Sequence, residues 1–146
     1  MEYFSTEQIG RVFVLRLDQG DMLLESIKEL IAKEGIKDAV VISAIGTLDM
    51  CVLHMVTTTG YPPEEHFERW DNEPLELVSV DGIIADGEPH LHAVVSDSEK
   101  AYAGHLENGC RILYLGEIVI GELESMDLKR IYNDKHILKL ISQREQ

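Results

Sequence analysis

The sequence predicts an α+β domain, mainly antiparallel β-sheet packed against one principal helix over about residues 21–34. Three observations lead there. One early segment carries apolar residues at helical spacing, Leu23, Ile27, Leu30 and Ile31, with Glu25, Lys28, Glu29 and Lys33 on the other side. The later stretches Asp38–Ala44, Thr47–Thr58, Leu75–Ala85, His90–Ser96, Ala101–Glu107 and Arg111–Leu123 are instead β-branched or alternating, each bounded by Gly, Pro, Asp or Asn. Their connections are too short for the repeated crossover helices that a doubly wound parallel sheet needs.

Taken in order, Gly10–Asp18 (GRVFVLRLD) alternates as a strand, with Val12, Val14 and Arg16 on one face and Phe13, Leu15 and Leu17 on the other. Gln19-Gly20 ends it. Asp21 is the expected N-cap of the helix, and Gly35 its C-terminal stop, with Ile36 packing back over the last turn. Ser-Ala-Ile-Gly-Thr around Gly46 reads as a turn between two strands. Thr59–Pro74 reads as the longest irregular stretch, a surface loop, flap or oligomer contact that holds Tyr61, His66, Phe67 and Trp70. In the tail, Leu128–Tyr132 and Ile137–Ile141 read as strands around an Asn133-Asp134 turn. No repeat, low-complexity tract or interior linker divides the chain, so one domain over 1–146 is expected, with a core of about 8–132 and a tail of 133–146.

Composition narrows the function classes. At 146 residues and 45% apolar content, the chain has enough material for an ordinary core without disulfide or metal staples. Lys and Arg number 13 against 27 Asp and Glu, a net charge of −14 that repels phosphate and disfavours a large DNA footprint. No apolar run approaches the roughly 18 residues of a membrane span. The opening MEYFSTEQIGRVF lacks the basic start and long apolar stretch of a signal peptide, so a cytoplasmic protein without a membrane partner is expected. Cys51 and Cys110 form no CxxC, which fits a reducing compartment. Neither GxGxxG nor GxxxxGK[ST] occurs, and Ser43, Ser79 and Ser96 lack a nucleophile-elbow context.

Chemical specificity concentrates in GEPHLHAVVSDSEKAYAGHLENG. The segment reads as a hairpin with Asp97–Lys100 as its turn, so that opposed residue numbers sum to 197. That register sets His92 opposite His105 and His90 opposite Glu107 on one face, and Leu91, Ala93 and Val95 opposite Leu106, Gly104 and Tyr102 on the other. His90, His92 and His105 then form a donor set for zinc or another first-row divalent ion. Three protein ligands leave a coordination position open. Glu107 has three candidate roles: fourth ligand, carboxylate orienting an imidazole, or general base; Glu88 is a second, less well placed catalytic candidate. Ala101, Ala103 and Gly104 leave space beside His105. His54 is within reach of the same site but reads first as a strand histidine hydrogen-bonded in place, His66 and His136 receive no role, and Cys110 reads as a small half-buried residue opening the next strand in preference to a nucleophile near a histidine.

The order of these motifs resembles the PPC domain, the plant and prokaryote conserved domain, whose members carry a DNA-binding label. GRVFVLRLDQGDMLLESI, GIKDAVVISAIGTLDMCVLH, EPLELVSVDGII and EPHLHAVVSDSEKAYAGHLENGCRILYLGEIVIGEL carry the likeness, from about Gly10 to Tyr132. Its most specific part is the succession H-L-H, G-H-L, G-C. The resemblance implies a stand-alone domain of the prokaryotic type, a homotrimer, and a bound metal, zinc, at His90, His92 and His105. Plant relatives add an AT-hook, and this chain has no R-G-R-P. Where they carry G-R-F-E-I-L it reads Glu73-Pro74-Leu75-Glu76-Leu77-Val78. The expected function is a metal-binding oligomeric domain of regulatory or ligand-sensing role, with a small molecule as a possible ligand. The alternatives are a metal-dependent hydrolase or lyase acting on a small polar substrate, and direct DNA binding, which the charge of −14 disfavours.

Overall fold

The computed structural model describes residues 1–144. In chain order the elements are β1 (Ile9–Asp18), α1 (Leu23–Glu34), β2 (Ala39–Val56), β3 (Glu65–Ala85), β4 (Glu88–Ser96), β5 (Ala101–Leu106), β6 (Arg111–Leu123), β7 (Leu128–Tyr132) and β8 (Leu138–Ser142). The α+β class follows as the sequence predicts. Among the described residues, no helix is long and apolar enough to cross a membrane.

The main sheet is antiparallel and runs β1-β6-β2-β3-β4-β5, with a further pairing of β5 to β2. One edge of β2 carries β3. The other carries β6 from Ala39 to Met50 and then β5 at Leu53 and His54. Strands β2 to β5 therefore close into a small barrel, flanked by β6 and β1. Closure removes two open edges and brings His54 into register with His105, 51 positions further along the chain. β7 and β8 form a separate hairpin.

Side-chain alternation sets what faces inward. Leu53, Leu77, Val80, Ile84, Leu91, Ala93, Val95 and Leu106 are buried, as are Leu23, Leu24, Ile27 and Ile31 along one stripe of α1. Fully burying one such aliphatic side chain is worth about 1.5–3 kcal/mol. Leu17 is buried, Phe13 and Leu15 pack on the core, and Val12 and Val14 face outward, as the alternation of β1 requires. Gly35 ends α1 in the left-handed conformation at φ 65°, and Ile36 is buried behind it.

Three local expectations are corrected. The helix is capped by Met22, without a side-chain cap; Asp21 instead accepts a hydrogen bond from the Asp18 N–H at 2.8 Å, closing the preceding turn. The Gly46 region is not a turn: β2 runs unbroken through it, because a residue without Cβ there lets Leu115 and Gly116 of β6 lie against it. Most of Thr59–Pro74 is strand. Only 57–64 is irregular, and Pro74 is accommodated because the β2–β3 ladder slips between Leu48 and Met50, opposite Asn72 at φ 58°. Trp70 is consequently buried in the core against Tyr102, ring centroids 4.7 Å apart, and is no flap residue. The tail strands form as expected.

Candidate metal centre

Hairpin β4–β5 folds in the register of its sequence. His92 opposes His105, Ala93 opposes Gly104, Val94 opposes Ala103, Val95 opposes Tyr102 and Ser96 opposes Ala101. Its turn is held by Asp97, whose Oδ1 accepts the Glu99 and Lys100 N–H groups at 2.7 and 2.8 Å and whose Oδ2 accepts the Tyr102 hydroxyl at 2.8 Å. These bonds to the ionised form, the backbone ones first, hold the Asp97 carboxyl below its ordinary pKa.

With Leu91, Ala93 and Val95 directed into the barrel, His90 and His92 stand on its outer face. The imidazoles of His90, His92 and His105 meet there, with centroid separations of 5.4 Å (His90–His92), 5.1 Å (His90–His105) and 5.4 Å (His92–His105). Three imidazoles bound to one tetrahedral zinc through nitrogens at about 2.0–2.1 Å have ring centroids roughly 5 Å apart. The centroid spacing matches that distance, although the group whose donor atoms themselves all lie within 4.8 Å of one another is His54, His105 and Glu107. Burial is the main cause lowering the pKa of both His90 and His105, so the neutral, lone-pair-bearing form is favoured. At His90 the positive charge of Arg130 acts in the same direction; at His105 Glu107 opposes it.

His54 joins the group from β2. Its ring lies 4.8 Å from that of His105 and stacks on Phe67 at 5.0 Å. His54 Nδ1 donates to Glu107 Oε1 at 2.8 Å, since a carboxylate only accepts. His105 Nδ1 lies 3.0 Å from the same oxygen but off the hydrogen-bonding direction, which leaves this buried nitrogen unsatisfied. His54, His105 and Glu107 also bring donor atoms within 4.8 Å of one another, a second donor set that shares His105 with the first. Beyond it, Glu65 Oε1 stands 3.8 Å from His54 Nε2.

The expected pairing of His90 with Glu107 does not form. The β4–β5 ladder ends at His92–His105, and the chain then follows β2, with the Glu107 N–H donating to the Val52 carbonyl. His90 is instead the register partner of Ile83 on β3. Glu88, at the start of β4, lines a different groove with Lys28, Ile31, Gly35 and Pro89. His66 pairs with Glu68 on exposed β3, and His136 sits in the β7–β8 turn. Glu117 is exposed on β6. Sequence reasoning weighed His54 as reaching the same site but preferred a strand histidine hydrogen-bonded in place; it is both hydrogen-bonded to Glu107 and beside His105. The available signal was its position out of phase with buried Leu53, which marks it as outward-facing.

Around the histidines lies an open cleft of ≈ 590 Å³, lined by His54, Met55, Val56, His90, His92, Ala103, Gly104 and His105. Ala103 and Gly104 supply the space expected of them. The Gly104 backbone packs so closely on β2 that a Cβ there would stand 2.8 Å from the His54 carbonyl.

Comparison with known proteins places this geometry in context. The family described as the Plants and Prokaryotes Conserved (PCC) domain matches residues 4–124. A bifunctional protein GlmU of a Synechococcus strain is 29% identical over 113 residues, 77% of this chain, and the match spans 17% of that relative's length. A structure of a metal-containing protein from Archaeoglobus fulgidus is 26% identical, with a TM-score of 0.80 over 94% of this chain and 96% of that one. A candidate DNA-binding protein from Bacteroides thetaiotaomicron shares the fold at 20% identity, with a TM-score of 0.78 over 97% and 99% of the two chains.

Proposed function

The chain belongs to the Plants and Prokaryotes Conserved domain family, and from that membership we propose that it is a metal-binding, homo-oligomeric domain with a regulatory or ligand-sensing role. His90, His92 and His105 hold one divalent ion, zinc, on the outer face of the barrel. The observation that carries this reading is the convergence of three imidazoles at 5.1–5.4 Å. The metal-containing relative at 26% identity supports it. When bound by three protein ligands, the ion offers an open position at which an oxygen or nitrogen of a small molecule is polarised.

Glu107 is assigned the orienting role among its three candidates. Its Oε1 is hydrogen-bonded to His54 and stands 3.0 Å from Nδ1 of the proposed ligand His105, the side from which an outer carboxylate orients a ligating imidazole. The cleft beside the histidines favours a second reading, a hydrolase or lyase acting on a small polar substrate. That reading needs a carboxylate free to move protons, whereas Glu107 is engaged and Glu88 lies in another groove. Binding is therefore preferred to catalysis.

Oligomerisation, as a homotrimer, is supported by an apolar outer face. Val12 and Val14 of β1 and Ile42 and Ile45 of β2, the two strands that flank β6, are each half or more exposed. Contiguous apolar surface of this kind marks an interaction site. Direct DNA contact is the weakest reading, since a charge of −14 leaves little to neutralise phosphates.

Metal analysis of purified protein tests the shared premise. The expected result is one ion per chain, lost in a His92→Ala/His105→Ala double variant and retained in His66→Ala/His136→Ala. Unchanged metal content in the first variant would overturn the assignment.

A further inference from the structure

We infer that the histidine centre takes a small oxyanion, a carboxylate or phosphate, whose charge is read by Arg130 of the β7–β8 hairpin. The inference rests on the metal reading above and gives its ligand a chemical class.

The hairpin is electrostatically unlike the rest of the chain. Leu128–Ser142 carries Lys129, Arg130, Lys135 and Lys139 against a single carboxylate, Asp134, in a protein of net charge −14. It also lies beyond the residues that match the family, which end at 124. Its attachment places one of these cations against the β3–β4 strand pair that carries His90. Arg130 Nη1 donates to the Glu88 carbonyl at 2.8 Å and Nη2 to the Ile83 carbonyl at 3.3 Å. Ile83 is the register partner of His90, and Glu88 precedes His90 by two residues. The guanidinium is thereby fixed against the backbone that presents His90.

Two backbone bonds explain how Arg130 is held, and the Glu88 carboxylate acts on its charge without pairing with it. A guanidinium has five N–H donors, and here it makes two hydrogen bonds, both to neutral acceptors. Among the described residues, no carboxylate forms an ion pair with it, while Arg11, Arg16, Arg69 and Arg111 each have one. Arg130 is half-buried, and desolvation lowers its pKa, the direction opposite to that of Arg11, Arg69 and Arg111. A half-buried cation that is in no ion pair, beside a donor set for a divalent cation, is complementary to an anion that reaches both. The hairpin tip is tied down independently, because the Tyr61 hydroxyl donates to the His136 carbonyl across the 57–64 loop.

The test uses the cobalt(II)-loaded full chain and follows its visible absorption during titration with acetate, inorganic phosphate and, as a neutral metal ligand, imidazole. At least one oxyanion is expected to shift the spectrum, with affinity about ten-fold or more lower in Arg130→Gln, partly restored in Arg130→Lys and unchanged in Lys129→Gln. Imidazole affinity is expected to be the same in all four proteins, which separates charge reading from a loosened hairpin. Cobalt binding with no oxyanion response, or with equal oxyanion affinity in Arg130→Gln, would overturn this inference alone. Failure to bind cobalt at the histidines would overturn it together with the metal reading.

Discussion

At the scale of single residues, Glu107 Oε1 is the atom on which order in the centre depends, since it meets Nδ1 of both His54 and His105. Glu107→Gln keeps an acceptor in place but removes the charge that favours two oriented imidazoles. Losing such an outer partner typically costs about 10–100-fold in metal affinity, and competition with a chromophoric chelator should report a weakening in that range with little change in melting temperature. A second residue-scale expectation concerns the hairpin turn. The folded Asp97 carboxyl titrates below the ordinary aspartate value of about 3.9. Its contribution to stability is therefore present above that value and is lost as the pH falls through the lower folded one. Asp97→Asn should be less stable than the parent at pH 7 and indistinguishable from it at pH 2, by denaturant titration at each pH. The three hairpin histidines were legible in the sequence because a strand period of two and a four-residue turn fix their relation locally. His54 was not, because its neighbour His105 is supplied by a pairing that exists only once the barrel has closed.

At the scale of elements, the centre is set by how closely β5 approaches β2. Gly104→Ala would place a Cβ against the His54 carbonyl and 3.2 Å from Leu53 Cβ, and backbone cannot yield as a flexible side-chain end can. The variant should lose about 1–3 kcal/mol and widen the His54–His105 contact, seen as a lower denaturant midpoint together with weaker metal binding. Gly82, at φ 140°, makes an equally close approach to β4 at His90 and Leu91. Buried Asp38 joins distant elements in the same way. Its carboxylate accepts the Asp86 N–H at 3.2 Å and the Leu128 N–H at 3.0 Å, which fastens the β7–β8 hairpin to the body of the domain. Asp38→Ala leaves those donors short of a partner and should cost about 1–3 kcal/mol, with hydrogen exchange fastest to rise in β7. The β-rich texture and the helix were readable from periodicity. The length of β2 and β3 was not, since Gly46 and Pro74 carry turn signals locally and are overridden by pairing with β6 and by the slip of the β2–β3 ladder.

At the scale of the molecule, the proposed function expects self-association and little affinity for nucleic acid. The exposed row of Val12, Val14, Ile42 and Ile45 is expected to be covered by other copies of the chain. Light scattering should give a trimer for the parent and a smaller species for Val14→Glu. The net charge of −14 also means that cations are gathered locally if anions are to be met, and the β7–β8 hairpin is where four of them lie. All of this turns on a metal among the hairpin histidines. The most direct measurement is a crystal structure of the zinc-loaded protein with anomalous data on either side of the zinc edge. The account predicts one peak per chain, bonded to His90, His92 and His105 and outside bonding distance of Glu107. A peak ligated by His54, His105 and Glu107, or no peak at the histidines, would contradict it.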